Sequence, residues 1–185
     1  MEVLSRHITA ALSGSRDARE EVARRASTLA LRTATAVLGD REAAGDIAQD
    51  VTVQVLRKLG RLREPAAFDG WVQRITVRET LRAARRQRVR VGRERPVEVL
   101  PEPGAGTGDD QAALQAVLSV ALAELPAKQR VAVVLKYVHD LTEAEIADAL
   151  GCAPGTAASL LSRGRAHLRK HPELSAFHRS EGVIK

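Results

Sequence analysis

The chain has 185 residues, a mass of 20.0 kDa and a formal charge of +6, with 44% apolar but only 2% aromatic residues. That length fits one domain or two small ones; the shortage of aromatic residues disfavours an all-β sandwich or barrel, and the single cysteine, Cys152, excludes an internal disulfide and a cysteine-based zinc cluster. A pI of about 10.2 suggests a polyanionic partner, nucleic acid first. No apolar run reaches the ~18 residues of a membrane span, and residues 1–14 lack the basic-then-apolar order of a secretory signal, so no membrane insertion and a cytoplasmic location are expected.

From residue 15 onward the apolar spacing is helical. Val22, Ala26, Leu29 and Thr33 recur at three and four, and Gly39-Asp40 ends that helix. A second helix is predicted over about 40–59, with Ile47, Val51, Val55 and Leu59 forming one stripe. Its other side carries Asp46, Gln49, Asp50 and Arg57, with Val53 and Leu56 among them. Residues 60–69 contain Pro65 and read as a loop. A third helix starts near Asp69 and runs through Trp71, Ile75 and Leu81 into a basic stretch, where seven arginines and one acid, Glu94, lie between Arg82 and Arg95. Such a run suits phosphate contacts; the alternative is a solvated face.

Composition then shifts. Pro96, Pro101, Pro103, Gly104, Gly106 and Gly108 read as a flexible linker between two helical domains. Beyond it, one helix is predicted over about 111–124, broken at Leu125-Pro126, and another to about Val138, with His139-Asp140 turning the chain. Thr142 and Glu145 form a capping box, and Leu141 is placed to staple onto Ile146. That helix ends at Leu150-Gly151. Ala153 is a poor N-cap, but Pro154 suits the first turn of a last helix running to about Lys170.

Residues 142–168 have a helix-turn-helix pattern: Ala147 is small where the helices would cross, and Gly151 suits a left-handed turn. The second helix turns Ala157, Leu161, Gly164 and Leu168 inward and Gly155, Ser159, Ser162, Arg163 and Ala166 outward. In this motif the N-terminal half of the second helix meets base edges in the major groove; the alternative is an ordinary helical hairpin.

The motifs Leu125-Pro-Ala-Lys-Gln-Arg130, Leu141-Thr-Glu-Ala-Glu-Ile-Ala147, Leu150-Gly151, Gly155-Thr156 and Arg163-Gly-Arg165 resemble region 4 of bacterial sigma-70-type sigma factors. Independently, Gly39-Asp-Arg-Glu-Ala-Ala44 with Asp46-Ile-Ala-Gln-Asp50 resembles their region 2.2, and Phe68, Trp71-Val-Gln-Arg-Ile75 and the arginine run resemble regions 2.3 and 2.4. A region 2 and a region 4 joined by a linker is the order of the extracytoplasmic-function (ECF) group. The resemblance implies an all-α fold: an N-terminal extension over 1–14, region 2 over 15–92, a linker over 93–110, region 4 over 111–171 and a tail over 172–185.

It also implies partners and sites. Core RNA polymerase is expected to bind through its β′ clamp helices and β flap, the former on Asp46, Gln49, Asp50, Val53 and Leu56. Loop 60–69 matches the family's specificity loop, which captures a flipped −10 base; the cost of unstacking that base must be offset by a pocket and phosphate contacts. Phe68, Trp71, Arg74, Arg78, Arg82, Arg85 and Arg86 are the −10 candidates, although a Trp at this spacing also suits a core. Thr156, Ser159, Ser162, Arg163 and Arg165 are the −35 candidates. The acids Glu98, Glu102, Asp109 and Asp110 fall where the family's linker mimics nucleic acid, and an anti-sigma factor is a further partner the resemblance allows. Two departures stand out. Arg78 and Arg82 replace a frequent Asn and Asp, and Ala157, Ala158, Ser159 and Leu160 stand where Val-Lys-Ser-Arg is common. Direct −35 readout is therefore expected to be thin.

Nothing in the pattern suggests catalysis, a metal or a cofactor: His7, His139, His167, His171 and His178 are scattered, and no strand precedes Gly104 to make a phosphate loop. Cys152 reads as a small buried hydrophobe rather than a redox sensor. The competing readings are a stand-alone helix-turn-helix regulator and a polymerase-binding adaptor that reads no DNA.

Overall fold

The computed structural model describes residues 2–91 and 109–174. Among them the regular elements are all helical: α1 (Glu2–Leu12), α2 (Arg16–Leu38), α3 (Arg41–Lys58), α4 (Phe68–Val91), α5 (Asp109–Glu124), α6 (Ala127–His139), α7 (Glu143–Leu150) and α8 (Pro154–Lys170), with 3-10 turns at Leu59–Arg61 and Pro65–Ala67. The expected all-α class is the observed one. The expected linker falls outside the described residues, except that Asp109 and Asp110 begin α5.

Local chemistry accounts for the boundaries. Ser15 Oγ accepts from the Ala18 amide at 3.3 Å and Asp40 Oδ1 from the Ala43 amide at 3.0 Å, capping α2 and α3; such caps are worth about 1 kcal/mol each. Gly39 ends α2 in the left-handed region at φ 66°, where a side chain would be strained. α1 is an element the sequence reading did not anticipate. It buries Ile8 and Ala11, with Leu4 packed beside them, against α2 and the two 3-10 turns.

The first core gathers Val22, Ala26, Leu29, Ile47, Val51, Val55, Phe68, Val72 and Ile75 from α2, α3 and α4. The second gathers Leu125, Val131, Leu135, Ile146, Ala157 and Leu161 from α6, α7 and α8 and the connection before α6. The division is not clean at the linker. Val37 of α2 and Val77 of α4 lie in the second core, both essentially without solvent exposure. The two halves therefore pack on each other, α4 against α7 and α2 against α6.

Candidate nucleic-acid interface

α3 turns Ala44, Ile47, Ala48, Val51 and Val55 into the core. Asp46, Gln49 and Asp50 are consequently exposed on its opposite side, with Val53 beside them at 41% exposure. Leu56 is half-buried and packs against the first core. The result is an acidic and amide strip with an apolar edge, open to a partner.

α4 distributes its candidate residues unevenly. Phe68 is fully buried, so its ring is a core element with no face to offer a base; the expected stacking role is corrected on that ground. Trp71 is half-buried and meets Phe68 edge to face, with centroids 6.2 Å apart and planes at 61°. Arg25 of α2 anchors the start of α4: its Nε donates to Asp69 Oδ1 at 3.1 Å, and a second nitrogen pairs with Asp69 Oδ2. Arg78 and Arg82, the two departures from the family pattern, share one carboxylate. Arg78 Nε donates to Glu79 Oε1 at 3.2 Å and Arg82 Nη1 to the same oxygen at 3.1 Å. Arg78 Nη2 also reaches Gln54 Oε1 of α3 at 3.2 Å. Burial opposes the charge on Glu79, but hydrogen bonds from Arg78, Gln54 and Arg82 outweigh it and hold the carboxyl below its ordinary range. Arg85 and Arg86 are exposed, and neither joins an ion pair among the described residues.

The helix-turn-helix is built as its sequence pattern demands. Thr142 and Glu145 complete the capping box reciprocally, with Thr142 N donating to Glu145 Oε2 at 2.8 Å and Glu145 N to Thr142 Oγ1 at 3.3 Å. Hydrogen bonds from the Thr142 amide and hydroxyl lower the Glu145 pKa. Gly151 takes φ 62° at the turn. Ala157, Leu161 and Gly164 are buried, and Gly164 allows the closest approach: a Cβ there would lie 2.7 Å from Val133 Cγ2 and 3.4 Å from the Gln129 carbonyl oxygen. Thr156, Ser159, Ser162, Arg163 and Arg165 are all exposed. Arg165 and Arg169 line a groove with Ser162, Leu168 and Tyr137, a residue 63% exposed.

What sequence reasoning missed is the contact between the halves. Arg74, assigned to DNA, donates from Nη1 to Asp148 Oδ2 of α7 at 2.7 Å. Arg130 Nη1 donates to the Val37 carbonyl at 2.6 Å, and Arg32 Nη2 to the Val138 carbonyl at 2.9 Å. Thr33 Oγ1 lies 3.1 Å from Gln73 Oε1, 3.0 Å from the Leu29 carbonyl and 2.8 Å from His139 Nε2. A hydroxyl has one proton, and it serves one of the two oxygens; the consistent arrangement has a neutral His139 donating from Nε2. Burial first, then Arg32 and Arg25, push the His139 pKa down to about 4. No local pattern marks these contacts between the halves, because the partners across the seam are distant in sequence. Among the described residues no cluster of side chains suits a metal ion, and no helix is long and apolar enough to cross a membrane.

Comparisons with known proteins agree with this layout. The Sigma-70 region 2 family model matches residues 22–90 and the Sigma-70, region 4 model matches residues 115–168. The chain is 34% identical over 171 residues to the ECF RNA polymerase sigma factor SigE of Mycolicibacterium smegmatis, covering 88% of this chain and 63% of that protein. It is 32% identical to the ECF RNA polymerase sigma factor SigM of Mycobacterium tuberculosis, covering 91% and 82% respectively. Among solved structures, the fold matches the sigma factor RpoE of Bartonella quintana, crystallised with the anti-sigma factor NepR, with a TM-score of 0.69 at 23% identity over 88% of this chain and 98% of that one. It also matches CnrH in complex with the cytosolic domain of CnrY, with a TM-score of 0.64 at 20% identity over 96% and 97%.

Proposed function

The chain belongs to the ECF group of sigma-70-type RNA polymerase sigma factors, and we propose that it is an alternative sigma factor that binds core polymerase and directs it to promoters carrying its −10 and −35 elements. One observation carries the reading: a single chain presents, in order, an open acidic strip on α3, a cation-rich α4 and a helix-turn-helix with an open recognition face. A stand-alone regulator has no use for the first two.

In this reading residues 15–92 and 111–171 act as regions 2 and 4. Asp46, Gln49 and Asp50 pair with basic groups on the β′ clamp helices, while Val53 and Leu56 supply apolar contact that a partner covers. Region 4 faces the β flap and the −35 duplex. Trp71, half-buried, offers part of its ring to the −10 strand, and Phe68 positions it from the core. Arg85 and Arg86 meet −10 phosphates; Arg74, Arg78 and Arg82 reach them only after exchanging their carboxylate partners. Thr156, Ser159, Ser162, Arg163 and Arg165 address the −35 duplex. The chain supplies no catalysis of its own and works where polymerase does, in the cytoplasm. An anti-sigma factor is a fitting partner, since RpoE, similar in fold, is crystallised with the anti-sigma factor NepR.

The test is run-off transcription with core polymerase across a genomic promoter library. Start sites that appear only when the chain is added, sharing two spaced elements, are the expected result. Core polymerase whose start sites are unchanged by the chain would overturn the proposal.

A further inference from the structure

Trp71, Arg74, Arg78, Arg82 and Arg85 follow one another along α4 at steps of three and four residues, so they share one face. At the centre of that face Arg78 belongs to a closed ring of three side chains that ties α4 to α3. Arg78 Nε donates to Glu79 Oε1 at 3.2 Å, Arg78 Nη2 donates to Gln54 Oε1 at 3.2 Å, and Gln54 Nε2 donates back to Glu79 Oε1 at 3.4 Å. Lys58 Nζ meets the same Gln54 oxygen at 3.4 Å, and Arg82 Nη1 lies 3.1 and 3.2 Å from the two Glu79 oxygens. The Gln54 amide thus turns its nitrogen to the carboxylate and its oxygen to cations. The Glu79 side chain is largely covered, at 16% exposure, whereas that of Arg78 keeps 48%.

These bonds occupy one edge of the guanidinium and leave another. An arginine carries an N–H on Nε and a pair on each terminal nitrogen. The Nε proton and one Nη2 proton lie along the side edge, which faces Glu79 and Gln54. The end edge, formed by Nη1 and Nη2, makes no hydrogen bond among the described residues and is a two-pronged donor. Resting on the sigma-factor reading, we propose that Arg78 reads a guanine of the −10 element through this end edge, with Glu79 and Gln54 as the positioning residues that aim it. Guanine offers O6 and N7 as adjacent acceptors, the pair that a guanidinium fork matches. A phosphate also offers adjacent acceptors, and two observations favour the base. Glu79 sets one carboxylate against both Arg78 and Arg82, which weakens their attraction for a phosphate and leaves that for an uncharged base little changed. The ring also fixes the guanidinium before DNA arrives, which favours a planar, directional acceptor pair. None of its bonds has to break for the base to bind. Arg85 and Arg86, by contrast, are exposed and join no ion pair among the described residues.

The test uses holoenzyme assembled from core polymerase and the full chain, as wild type, Arg78→Ala and Glu79→Gln, with helicity followed by circular dichroism. Run-off transcription over a promoter library with a randomised −10 element reads the base preference position by position. Wild type is expected to favour guanine at one position by about 10-fold or more, within what one bidentate contact supplies. Arg78→Ala should reduce that preference to about 2-fold or less and leave the other positions unchanged, and Glu79→Gln should weaken it by about 3-fold or more. Replacing that guanine with 7-deazaguanine, which lacks only the N7 acceptor, should lower wild-type binding by about 5-fold and leave Arg78→Ala unaffected. The absence of a guanine-dominated position, or one that persists in Arg78→Ala, would overturn the base contact. Equal loss at every promoter in Arg78→Ala, with a lower salt slope, would overturn it in favour of phosphate. An unchanged guanine preference in Glu79→Gln would overturn the positioning role. Should no version support transcription, the sigma-factor reading falls instead. Selection by the free chain from randomised single-stranded and duplex oligonucleotides then decides the base contact: guanine enriched by wild type and not by Arg78→Ala upholds it, and no enrichment overturns it.

Discussion

The Arg130 guanidinium of α6 donates to the Val37 carbonyl at 2.6 Å, so that the last turn of α2 is capped by a residue 93 positions away. Arg32 of α2 does the same for α6 at Val138. Orphan carbonyls at helix ends are ordinarily left to water or to a local glycine. Here each half completes the other, and separation of the halves returns both carbonyls to water. Hydrogen bonds to charged groups contribute about 1.5–3 kcal/mol each, and less where the donor is exposed, as Arg32 is, so the two caps favour the packed arrangement.

His139 gives the seam a pH dependence with a definite sign. In the closed form its pKa is pushed down to about 4 by burial and by Arg32 and Arg25 of α2, against the weaker opposite pull of Asp69 of α4. A form that binds a proton less readily than the open chain is favoured above the ordinary histidine pKa of about 6.5 and loses ground as pH falls from there toward 4. We predict that the radius of gyration grows as pH falls from 7 to 5 while helicity is retained. A His139→Gln variant should flatten that profile. An unchanged radius down to pH 4.5 in the wild-type chain would rule the effect out.

Asp50 tests the docking face. It is exposed and outside the core of α3, so Asp50→Arg should leave thermal unfolding within about 0.5 kcal/mol of wild type. In a covered interface the reversed charge should cost on the order of 2–5 kcal/mol of polymerase affinity. The comparison is Glu143→Ala, an exposed acid on α7. Equal competition for core polymerase by both variants would remove α3 from the interface.

Of the glycines in the helix-turn-helix, Gly164 is the one with no room for a side chain. A methyl there meets Val133 Cγ2 at 2.7 Å, and a buried valine on a helix has little rotamer freedom to retreat. Gly164→Ala should therefore destabilise the fold by about 1–3 kcal/mol despite alanine's better helix propensity. Denaturant unfolding checks it; a stabilised variant would show that α6 and α8 are less tightly apposed.

Much of this molecule is legible along the chain because its causes are local. Gly39, Asp40, the Thr142–Glu145 box and Gly151 act within one turn of themselves, and the structure uses each as its chemistry predicts. The stripes of α3 and α8 likewise follow from periodicity alone. The failures share another cause. Phe68 opens a helix beside a loop, a place that suits a binding ring as well as a core ring; only the packing of α2 and α3 decides for the core. α1 needed the 3-10 turns as a partner surface before its Leu4, Ile8 and Ala11 face had meaning. Arg32 and Asp148 carry no signal at all, because an exposed seam residue looks like any surface residue until its partner is placed, and the stripe that buries Thr33 does not show that it meets His139.

The division of promoter recognition between α4 and α8 follows from what each exposes. Along α8 the open face offers Thr156, Ser159 and Ser162, short hydroxyls that contact either a base or a phosphate, and Arg163, the one side chain among these four that can make a bidentate contact with a guanine edge. Such a contact is worth about 1–3 kcal/mol of discrimination. Arg163→Ala should therefore be the most damaging single change on α8, with its loss confined to promoters bearing the guanine it reads. On α4, Arg85 and Arg86 are exposed. Each should meet phosphate, so Arg85→Ala and Arg86→Ala should weaken binding to every promoter alike and lower the salt slope by about 0.7 to 0.9 for each phosphate left without its cation. Because the open face of α8 offers mainly short hydroxyls to base edges, single-base changes in the −35 element should cost less transcription than changes in the −10 element. The measurement is holoenzyme binding and run-off transcription over single-base promoter variants at several salt concentrations. A −35 element whose single-base changes abolish transcription while Arg163→Ala is silent would move base readout off this face of α8.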